Sequence, residues 1–323
     1  MTKLETPLYN RLALIGAGLI GGSIARGARA LGAAGTVVVT ARSQETRRRV
    51  MELGFADEVT ETAAEAVKGA DLVIVCVPVG ACGAITQEIG PHLAPGATVS
   101  DVGSVKTAVV REMAPHLPAH VHFVPAHPVA GTEHSGPDAG FAELFVNRWC
   151  ILTPPPGTDA AATERLAAFW RRLGANVEVM TPEHHDIVLA MTSHLPHLIA
   201  YTIVGTADDV EKLVTRSEVM KFSAGGFRDF TRIAASDPTM WRDIFLHNRD
   251  TVLELLARFN EDLSVLTRAI RSGDGDKLFD FFTRTRAIRR GIIDIGQDSP
   301  APDFGRGHGG LPPAPIPKPY SAE

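Results

Sequence analysis

One short segment of the sequence concentrates residues that could transfer a proton. Residues 127–136 read His-Pro-Val-Ala-Gly-Thr-Glu-His-Ser-Gly. Imidazole titrates near neutral pH and can accept or return a proton, and proline and glycine at this density are typical of loops. We therefore predict that His127 is a catalytic base in a site loop.

A glycine motif near the amino terminus predicts where a nucleotide would bind. Gly16-Ala-Gly-Leu-Ile-Gly21 separates a predicted strand, residues 11–16, from a predicted helix, residues 19–31. In that setting the glycines permit a tight turn and bring backbone N–H groups to a pyrophosphate at the positive helix end. A dinucleotide here and a base at His127 together indicate redox chemistry. The predicted diphosphate contacts are Gly16, Gly18, Leu19, Ile20 and Gly21.

The end of the second predicted strand should contact the ribose of that dinucleotide. An acidic residue there would accept hydrogen bonds from the 2′-hydroxyl of NAD, but the chain reads Ala41-Arg42-Ser43. Arg42 could instead bind a 2′-phosphate, so the pattern favours NADP over NAD; the alternative is a solvated arginine at a strand end. Val77 and Pro78, at the end of the predicted strand 72–77, complete the predicted cofactor contacts.

Ser104 lies in a second candidate motif, Asp101-Val-Gly-Ser-Val-Lys106. This motif follows the predicted strand 98–100 at its carboxyl end, the edge where open parallel sheets bind ligands. Ser104 could therefore reach the nicotinamide side of the site. The alternative is a serine that caps the next helix.

Two further motifs follow in the second half of the chain. Ser193-His194-Leu-Pro-His197 places two imidazoles on one helix face, but no third ligand of matching spacing completes a metal site, so none is predicted. A glycine-hinged loop from Gly225 leads to Arg232, and arginine binds carboxylates through a bidentate fork.

The elements that must position these residues fall into two classes. Up to Pro182, apolar strands alternate with amphipathic helices, which predicts an α/β domain with a Rossmann-like, doubly wound parallel sheet; a single strand, 122–126, should lead into the site loop. After Pro182 the pattern is helical: 186–207, 209–220, 238–246 and 251–270. The predicted domains are a dinucleotide-binding domain (1–182), an all-helical substrate and dimerisation domain (183–296) and a disordered Pro/Gly-rich tail (297–323).

The last predicted helix carries an apolar stripe at heptad spacing. Its members are Val252, Leu256, Phe259, Leu263, Leu266 and Ile270. The stripe could pack within the helical domain, but that domain has more apolar surface than it can cover alone. A homodimer is therefore the expectation.

Composition excludes several classes of partner. The 323 residues are 45% hydrophobic and carry a formal net charge of −5, which gives no basic surface for nucleic acid. No uninterrupted apolar run reaches the ~18 residues of a membrane span, and the amino terminus lacks the pattern of a secretory signal. We expect a soluble, cytoplasmic protein that acts on a small molecule.

Taken together, these motifs resemble the prephenate and arogenate dehydrogenases of tyrosine biosynthesis. The similarity runs from about Arg11 to Ile295 and includes the glycine motif, Asp-x-Gly-Ser-Val-Lys (101–106), His-Pro-Val-Ala-Gly-Thr-Glu (127–133), Ser-His-Leu-Pro-His (193–197), Phe-Thr-Arg (230–232) and Met-Trp-Arg-Asp-Ile (240–244). Several motifs in this order are specific to the family. Many NAD-using members carry an aspartate where Ala41 stands, and this departure puts a preference for NAD in doubt.

The resemblance implies a reaction and a role for each motif. Prephenate would be oxidatively decarboxylated to 4-hydroxyphenylpyruvate, or arogenate to tyrosine, with hydride passed to NAD or NADP, in a dimer joined through the helical domain. His127 would take the ring-hydroxyl proton, Ser104 would bridge the hydroxyl and the nicotinamide, and Arg232 would bind the ring carboxylate. The remaining implied substrate contacts are Glu133, Ser193, His194, His197 and Trp241, with Trp241 packed behind Arg232.

Two other functions fit the same architecture. β-Hydroxyacid dehydrogenases share it but use a lysine on a helix of the second domain, and residues 184–211 contain no lysine. A non-catalytic dinucleotide sensor would not need His127, Ser104 and Arg232 together. The motifs leave prephenate and arogenate undistinguished.

Overall fold

The amino-terminal half of the protein is built around a parallel sheet. A computed structural model describes residues 6–132, 134–214 and 223–294 of the chain. All neighbouring strands in this sheet run parallel, in the order β3-β2-β1-β4-β5-β6. The strands are β1 (Tyr9–Ile15), β2 (Ala34–Thr40), β3 (Glu58–Thr60), β4 (Leu72–Val75), β5 (Thr98–Asp101) and β6 (His122–Phe123). The helices between them are α1 (Leu19–Ala30), α2 (Gln44–Leu53), α3 (Ala63–Ala66), α4 (Cys82–Ile89) and α5 (Lys106–Met113). The predicted Rossmann-like architecture is confirmed, whereas the short elements β3 and α3 had not been predicted.

A second, smaller sheet follows, and it corrects the prediction of one sheet. Its strands are β7 (Ala126–Pro128), β8 (Trp149–Leu152) and β9 (Asn176–Val179), with α6 (Ala160–Arg172) before β9. Strand β7 pairs antiparallel to β8, and β9 runs parallel to β8. His127 therefore lies in a strand opposite Ile151 instead of opening a loop.

Two side chains explain why the chain leaves the first sheet before His127. The Asp101 carboxylate accepts a hydrogen bond from the backbone N–H of Ala126 at 3.2 Å, and the Lys106 ammonium donates to the Ala126 carbonyl at 2.8 Å. The backbone N–H and carbonyl of Ala126 are thus hydrogen-bonded to side chains at the end of β5 and the start of α5. The predicted single strand 122–126 is split into β6 and β7.

The helical half begins with one long helix where two had been predicted. It runs as α7 (Pro182–Leu189), a π-helical turn (Ala190–His194) and α8 (Leu195–Val214), and the Thr181 hydroxyl caps it by accepting the His184 N–H. The later part of the predicted helix 209–220 lies outside the described residues, as do Glu133 and the predicted tail 297–323. By length and composition alone, Pro182–Val210 could span a bilayer, but its buried polar side chains at His185, Asp186 and His194 are those of a core helix.

Shorter helices complete the helical half. They are α9 (Gly225–Thr231) with a 3₁₀ turn (Arg232–Ala235), α10 (Pro238–His247), α11 (Arg249–Ser272) and α12 (Gly275–Asp294). The segment expected as a glycine-hinged loop before Arg232 is thus a helix, since Gly225 and Gly226 stand at its amino end, where glycine is tolerated. Helix α12 had not been predicted.

The first sheet is buried on both faces, and α10 covers part of one. Alternate residues of β1 and β4 face opposite ways: Leu12 and Leu72 join one apolar cluster, while Ala13 and Val73 join another that also contains Trp241 and Ile244 of α10. Contacts among the described residues divide the chain into two compact units, one up to Leu256 and one from Ala257. The proposed domain boundary at residue 182 stays a prediction.

Candidate active site

The turn between β1 and α1 has the geometry of a diphosphate cradle. Gly16 has φ +111°, and a Cβ atom there would lie 2.3 Å from the Cys76 carbonyl oxygen; a Cβ at Gly21 would lie 2.1 Å from the Gly16 carbonyl oxygen. A Cβ at Gly18 meets no atom within 4 Å. Helix α1 has no side-chain cap and no acidic residue in its first turn, which includes Leu19 and Ile20. Its N–H groups and positive end therefore suit an anion.

The end of β2 presents an exposed arginine on a braced loop. Arg47 donates from Nη1 to the carbonyl oxygens of Ala41 and Arg42 at 2.8 and 3.1 Å. Ser43 caps α2 by accepting the Thr46 N–H at 3.1 Å. The Arg42 side chain itself is exposed beside this loop. No carboxylate stands at positions 41–43 to receive ribose hydroxyls.

Val77 and Pro78 follow β4 at the same carboxyl edge of the sheet. Val77 is half-buried and Pro78 is exposed. Ser104 lies half-buried in the loop between β5 and α5, three positions after Asp101. The predicted cofactor residues and Ser104 therefore share the strand ends where ligands of parallel sheets bind.

His127 is part of a buried chain of hydrogen bonds. Its Nδ1 lies 2.8 Å from Nε2 of His185, and Nδ1 of His185 lies 2.8 Å from Oδ1 of Asp186. The Asp186 carboxylate also accepts the backbone N–H groups of Lys106 at 2.7 Å and Thr107 at 2.9 Å, so it caps α5. No motif in the sequence had singled out His185 or Asp186.

Burial sets the protonation state of this chain. Burial is the main reason that the pKa of His127 lies well below its usual value, and the charges of His185, Lys106 and His194 lower it further. Burial also lowers the pKa of His185, although Asp186 opposes the shift. The expectation that His127 titrates near neutral pH, like an ordinary imidazole, is therefore wrong. Its depressed pKa leaves the ring neutral at neutral pH.

A buried ion pair fixes the strand that carries His127. Lys106 and Asp101 are both fully buried and bonded to each other, and Asp101 also accepts the Gly103 N–H at 2.7 Å. Because these two residues also hold Ala126, they position the backbone next to His127. From the motif 101–106, only Ser104 had been predicted as a site residue. The structure shows that Lys106 of the same motif bonds to Asp101 and to the Ala126 carbonyl.

His194 lies buried in the π-helical turn of the long helix. Its Nδ1 is 3.2 Å from Nδ2 of Asn248, which also donates to the Asp186 carbonyl oxygen at 2.9 Å. Burial lowers the pKa of His194 to about 4. Its Nε2 atom is buried and meets the distance and angle criteria for a hydrogen bond with no atom of the described residues, while the Ser104 backbone lies near enough to the ring to oppose the fall in its pKa.

His197 and Trp241 form an aromatic wall beside His194. The His197 ring stacks on Trp241 with centroids 3.7 Å apart, and His197 Nδ1 donates to the Ser193 carbonyl oxygen at 2.8 Å. Burial lowers the pKa of His197, and the charge of Arg232 adds to the effect. Trp241, expected behind Arg232, makes its ring contacts with His194, His197 and Phe245. Arg232 itself is exposed on the 3₁₀ turn after α9.

This arrangement offers a neutral imidazole as base, a second imidazole and an indole as buried donors, and a guanidinium for an anion. Among the described residues, no group of three or more His, Cys, Asp or Glu is placed to hold a metal ion. The combination suits proton removal from a hydroxyl next to a bound dinucleotide, which is the chemistry of an alcohol oxidation.

Comparisons with known proteins identify the family of this chain. The family model for the prephenate dehydrogenase nucleotide-binding domain matches residues 24–179, and the model for the prephenate dehydrogenase dimerization domain matches residues 181–284. A cyclohexadienyl dehydrogenase of Zymomonas mobilis is 44% identical over 282 residues, which is 87% of this chain and 96% of that protein. A prephenate dehydrogenase of Bacillus subtilis is 34% identical, over 88% of this chain and 76% of that protein.

A solved structure is similar over most of the chain. Prephenate dehydrogenase from Aquifex aeolicus, in complex with hydroxyphenyl propionate and NAD+, is 34% identical with a TM-score of 0.80, over 88% of this chain and 98% of that one.

Proposed function

The chain belongs to the prephenate dehydrogenase family and is an NAD(P)-dependent dehydrogenase of tyrosine biosynthesis; we propose that His127 is its base and Arg232 its substrate clamp. The reaction is the oxidative decarboxylation of prephenate, of arogenate, or of both. The observation that carries the proposed roles is His127, buried and hydrogen-bonded to His185 at the carboxyl edge of the dinucleotide-binding sheet.

The overall reaction fixes what the base must do. Prephenate and NAD(P)+ give 4-hydroxyphenylpyruvate, carbon dioxide and NAD(P)H, with no net release of a proton. His127 accepts the hydroxyl proton as C4 becomes a carbonyl carbon. The electron pair of the C1–carboxylate bond then enters the ring, carbon dioxide leaves, and the C4 oxygen recovers a proton from His127. A positioned base of this kind contributes roughly 10²- to 10⁴-fold to the rate.

The β1–α1 turn would hold the cofactor, whose nicotinamide accepts the hydride when bound. Gly16 and Gly21 leave no room for a side chain inside the turn, while Gly18 leaves its outer face open. Leu19 and Ile20 would offer N–H groups to the diphosphate. Ala41, Arg42 and Ser43 would line the ribose, with Val77 and Pro78 on the other side and Ser104 at the nicotinamide.

Arg42 supports the use of NADP. It is exposed at the end of β2, whereas Arg47 is bonded to two carbonyl oxygens of the same loop. A 2′-phosphate would gain a charge-assisted hydrogen bond from Arg42. Positions 41–43 carry no carboxylate that would repel the phosphate. We propose NADP as the preferred cofactor, with NAD accepted at lower efficiency.

The substrate would bind between the sheet edge and the long helix. Arg232 would pair with the ring carboxylate, and the buried Nε2 of His194 and indole N–H of Trp241 would bond to substrate oxygens. His197 and Ser193 would complete this wall. Glu133, which lies outside the described residues, is proposed at the mouth of the pocket from its place in the motif alone.

Exposed apolar side chains support a homodimer. Among the described residues after Ala257, five large apolar side chains are about half exposed or more: Leu263 (48%), Ile270 (68%), Phe279 (70%), Phe282 (55%) and Ile288 (63%). These residues lie within or just beyond the segment that matches the dimerization model, and a second copy would cover them.

One experiment tests the reaction and the cofactor together. Purified protein is assayed with prephenate and with arogenate, each against NAD+ and NADP+, by the absorbance of the reduced nicotinamide. We expect turnover with at least one substrate and a higher kcat/KM with NADP+. No turnover in any of the four combinations would contradict the proposed reaction, and a higher kcat/KM with NAD+ would remove Arg42 from the proposed phosphate site.

A further inference from the structure

Two buried imidazoles of the site, His127 and His194, each connect to Asp186 through one intermediate side chain. The Asp186 carboxylate reaches His127 through His185, in two contacts of 2.8 Å. The Asp186 backbone carbonyl reaches His194 through the Asn248 amide, in contacts of 2.9 and 3.2 Å. All five side chains are less than a tenth exposed.

The first branch fixes the hydrogen on His127. Burial opposes ionisation of Asp186, but hydrogen bonds from His185, Lys106 and Thr107 outweigh it and lower the pKa. An ionised carboxylate only accepts, so Nδ1 of His185 must donate to it. A neutral His185 then has its lone pair on Nε2, and Nδ1 of His127 must donate there. The lone pair of His127 is left on its Nε2.

The second branch fixes the hydrogen on His194 in the opposite sense. An amide NH₂ group only donates, and an Asn248 flipped to place its oxygen here would face the Asp186 carbonyl oxygen with a second acceptor. Nδ2 of Asn248 therefore donates to both the Asp186 carbonyl and Nδ1 of His194. His194 then carries its hydrogen on Nε2.

We propose that Asp186, His185 and Asn248 are positioning residues that hold His127 and His194 in opposite tautomers, the first a proton acceptor at Nε2 and the second a donor at Nε2. This inference rests on the proposed function, in which the acceptor takes the hydroxyl proton. The donor binds an oxygen of the substrate, either carboxylate, carbonyl or hydroxyl, and cannot compete as a base.

The neighbouring charges are few and can be named. Lys106 and His194 face His127 alongside His185, and Lys106 and Asp101 act on His185 alongside Asp186. Asp186, His185 and His197 act on His194. Lys106 and Asp101 are bonded to each other, so the carboxylate that hydrogen-bonds to the imidazole chain is that of Asp186.

Nitrogen NMR reads the tautomers without any turnover. The full-length protein is labelled with ¹⁵N-histidine, and long-range ¹H–¹⁵N spectra are recorded at neutral pH, with His127→Asn and His194→Asn used for assignment among the 12 histidines. We expect an unprotonated Nε2 for His127 and an unprotonated Nδ1 for His194. The same tautomer in both rings, or a hydrogen on Nε2 of His127, would overturn the proposal.

Variants of His185 test the first branch by activity. His185→Phe removes the acceptor for His127 and should lower kcat by at least about 10-fold, equivalent to ~1.4 kcal/mol, with KM little changed. His185→Gln, whose amide oxygen can still accept the Nδ1 hydrogen, should recover part of that loss. His184→Phe changes the adjacent, exposed histidine and is the matched control. Equal kcat in His185→Phe and His184→Phe would contradict a positioning role.

Asn248→Asp tests the second branch, since an aspartate accepts where the amide donates. The variant should move the His194 hydrogen to Nδ1 and raise KM more than it lowers kcat, whereas the exposed Asn260→Asp should change neither. A His194 tautomer unchanged in Asn248→Asp would remove Asn248 from the proposal. Failure of the proposed function is distinguishable, because a wild-type protein without turnover would leave the NMR result standing.

Discussion

At the scale of single residues, burial decides which groups can act as acids and bases. His127 carries the same imidazole as the exposed His184, yet it is only 7% exposed and its pKa lies well below the usual value. A base of low pKa stays unprotonated across the neutral range, at the cost of proton affinity. Its partner His185 can share the charge that develops when the hydroxyl proton arrives.

The first prediction is the pH dependence of the wild-type enzyme. Because protonated His127 cannot accept the hydroxyl proton, kcat/KM should fall with acid; because its pKa is depressed, the fall should begin well below the ordinary histidine pKa of about 6.5. The measurement is kcat/KM against pH under saturating cofactor. An acid limb centred at or above about 6.5 would show that a more exposed group controls the reaction.

The second prediction concerns Arg232. A hydrogen bond to a charged group contributes roughly 1.5–3 kcal/mol, so Arg232→Ala should raise the KM for substrate by about 10-fold or more and leave the Kd for cofactor unchanged. Arg228→Ala, on the preceding helical turn and also exposed, is the control. Steady-state kinetics and cofactor titration suffice. An unchanged KM would place the substrate carboxylate elsewhere.

How much of the site the sequence predicted depends on whether its contacts are local. The glycine motif and His127 could be identified because each belongs to a short run of neighbouring residues with a recognisable pattern. His185 could not be identified, since its role depends on a contact with His127, 58 positions away. Asp186 could not either, since it caps a helix whose first residue, Lys106, is 80 positions away. Within the helical pattern of α7, both look like ordinary helical residues.

At the scale of elements, three local irregularities shape the site. Strand β7 leaves the first sheet at Ala126, a π-helical turn spans Ala190–His194, and the β1–α1 turn requires glycine at Gly16 and Gly21. The π-helical turn carries both Ser193 and His194, and such turns frequently occur at functional sites. Periodicity predicted the regular parts of these elements, but not the irregularities, because those depend on side chains from other elements.

The third prediction compares two glycines of the β1–α1 turn. Gly21→Ala would place a Cβ 2.1 Å from the Gly16 carbonyl oxygen, so both thermal stability and cofactor binding should be lost. Gly18→Ala meets no protein atom within 4 Å and should unfold like wild type, yet bind cofactor at least about 10-fold more weakly, since its methyl group would face a bound diphosphate. Melting curves and cofactor titrations distinguish them. Normal cofactor affinity in Gly18→Ala would move the diphosphate away from this turn.

At the scale of the whole molecule, α11 and α12 expose apolar side chains that a single chain does not cover. The heptad stripe of α11 had suggested a subunit contact, and two of its members, Leu263 and Ile270, are 48% and 68% exposed. Helix α12 adds Phe279 and Phe282, which had not been predicted as part of this surface.

The fourth prediction is that a charge on this surface separates the subunits. Wild-type protein should have the mass of two chains, about twice 34.5 kDa, in light scattering. Ile270→Glu should shift the population toward monomer at micromolar concentration, because it would bury a carboxylate against apolar side chains. Arg268→Glu, an exposed position two residues earlier, should leave the dimer intact. A monomeric wild type would contradict the proposed dimer.

The turnover of His127→Asn tests directly whether His127 is the base. Asparagine keeps a polar side chain of similar reach but offers no base, so substrate and cofactor should bind with near-normal Kd in calorimetry while kcat falls at least about 10²-fold. The matched control is His184→Asn, which changes an exposed histidine and should keep the wild-type kcat. A His127→Asn enzyme that retains near-normal kcat, with its acid limb intact, would show that another group takes the hydroxyl proton.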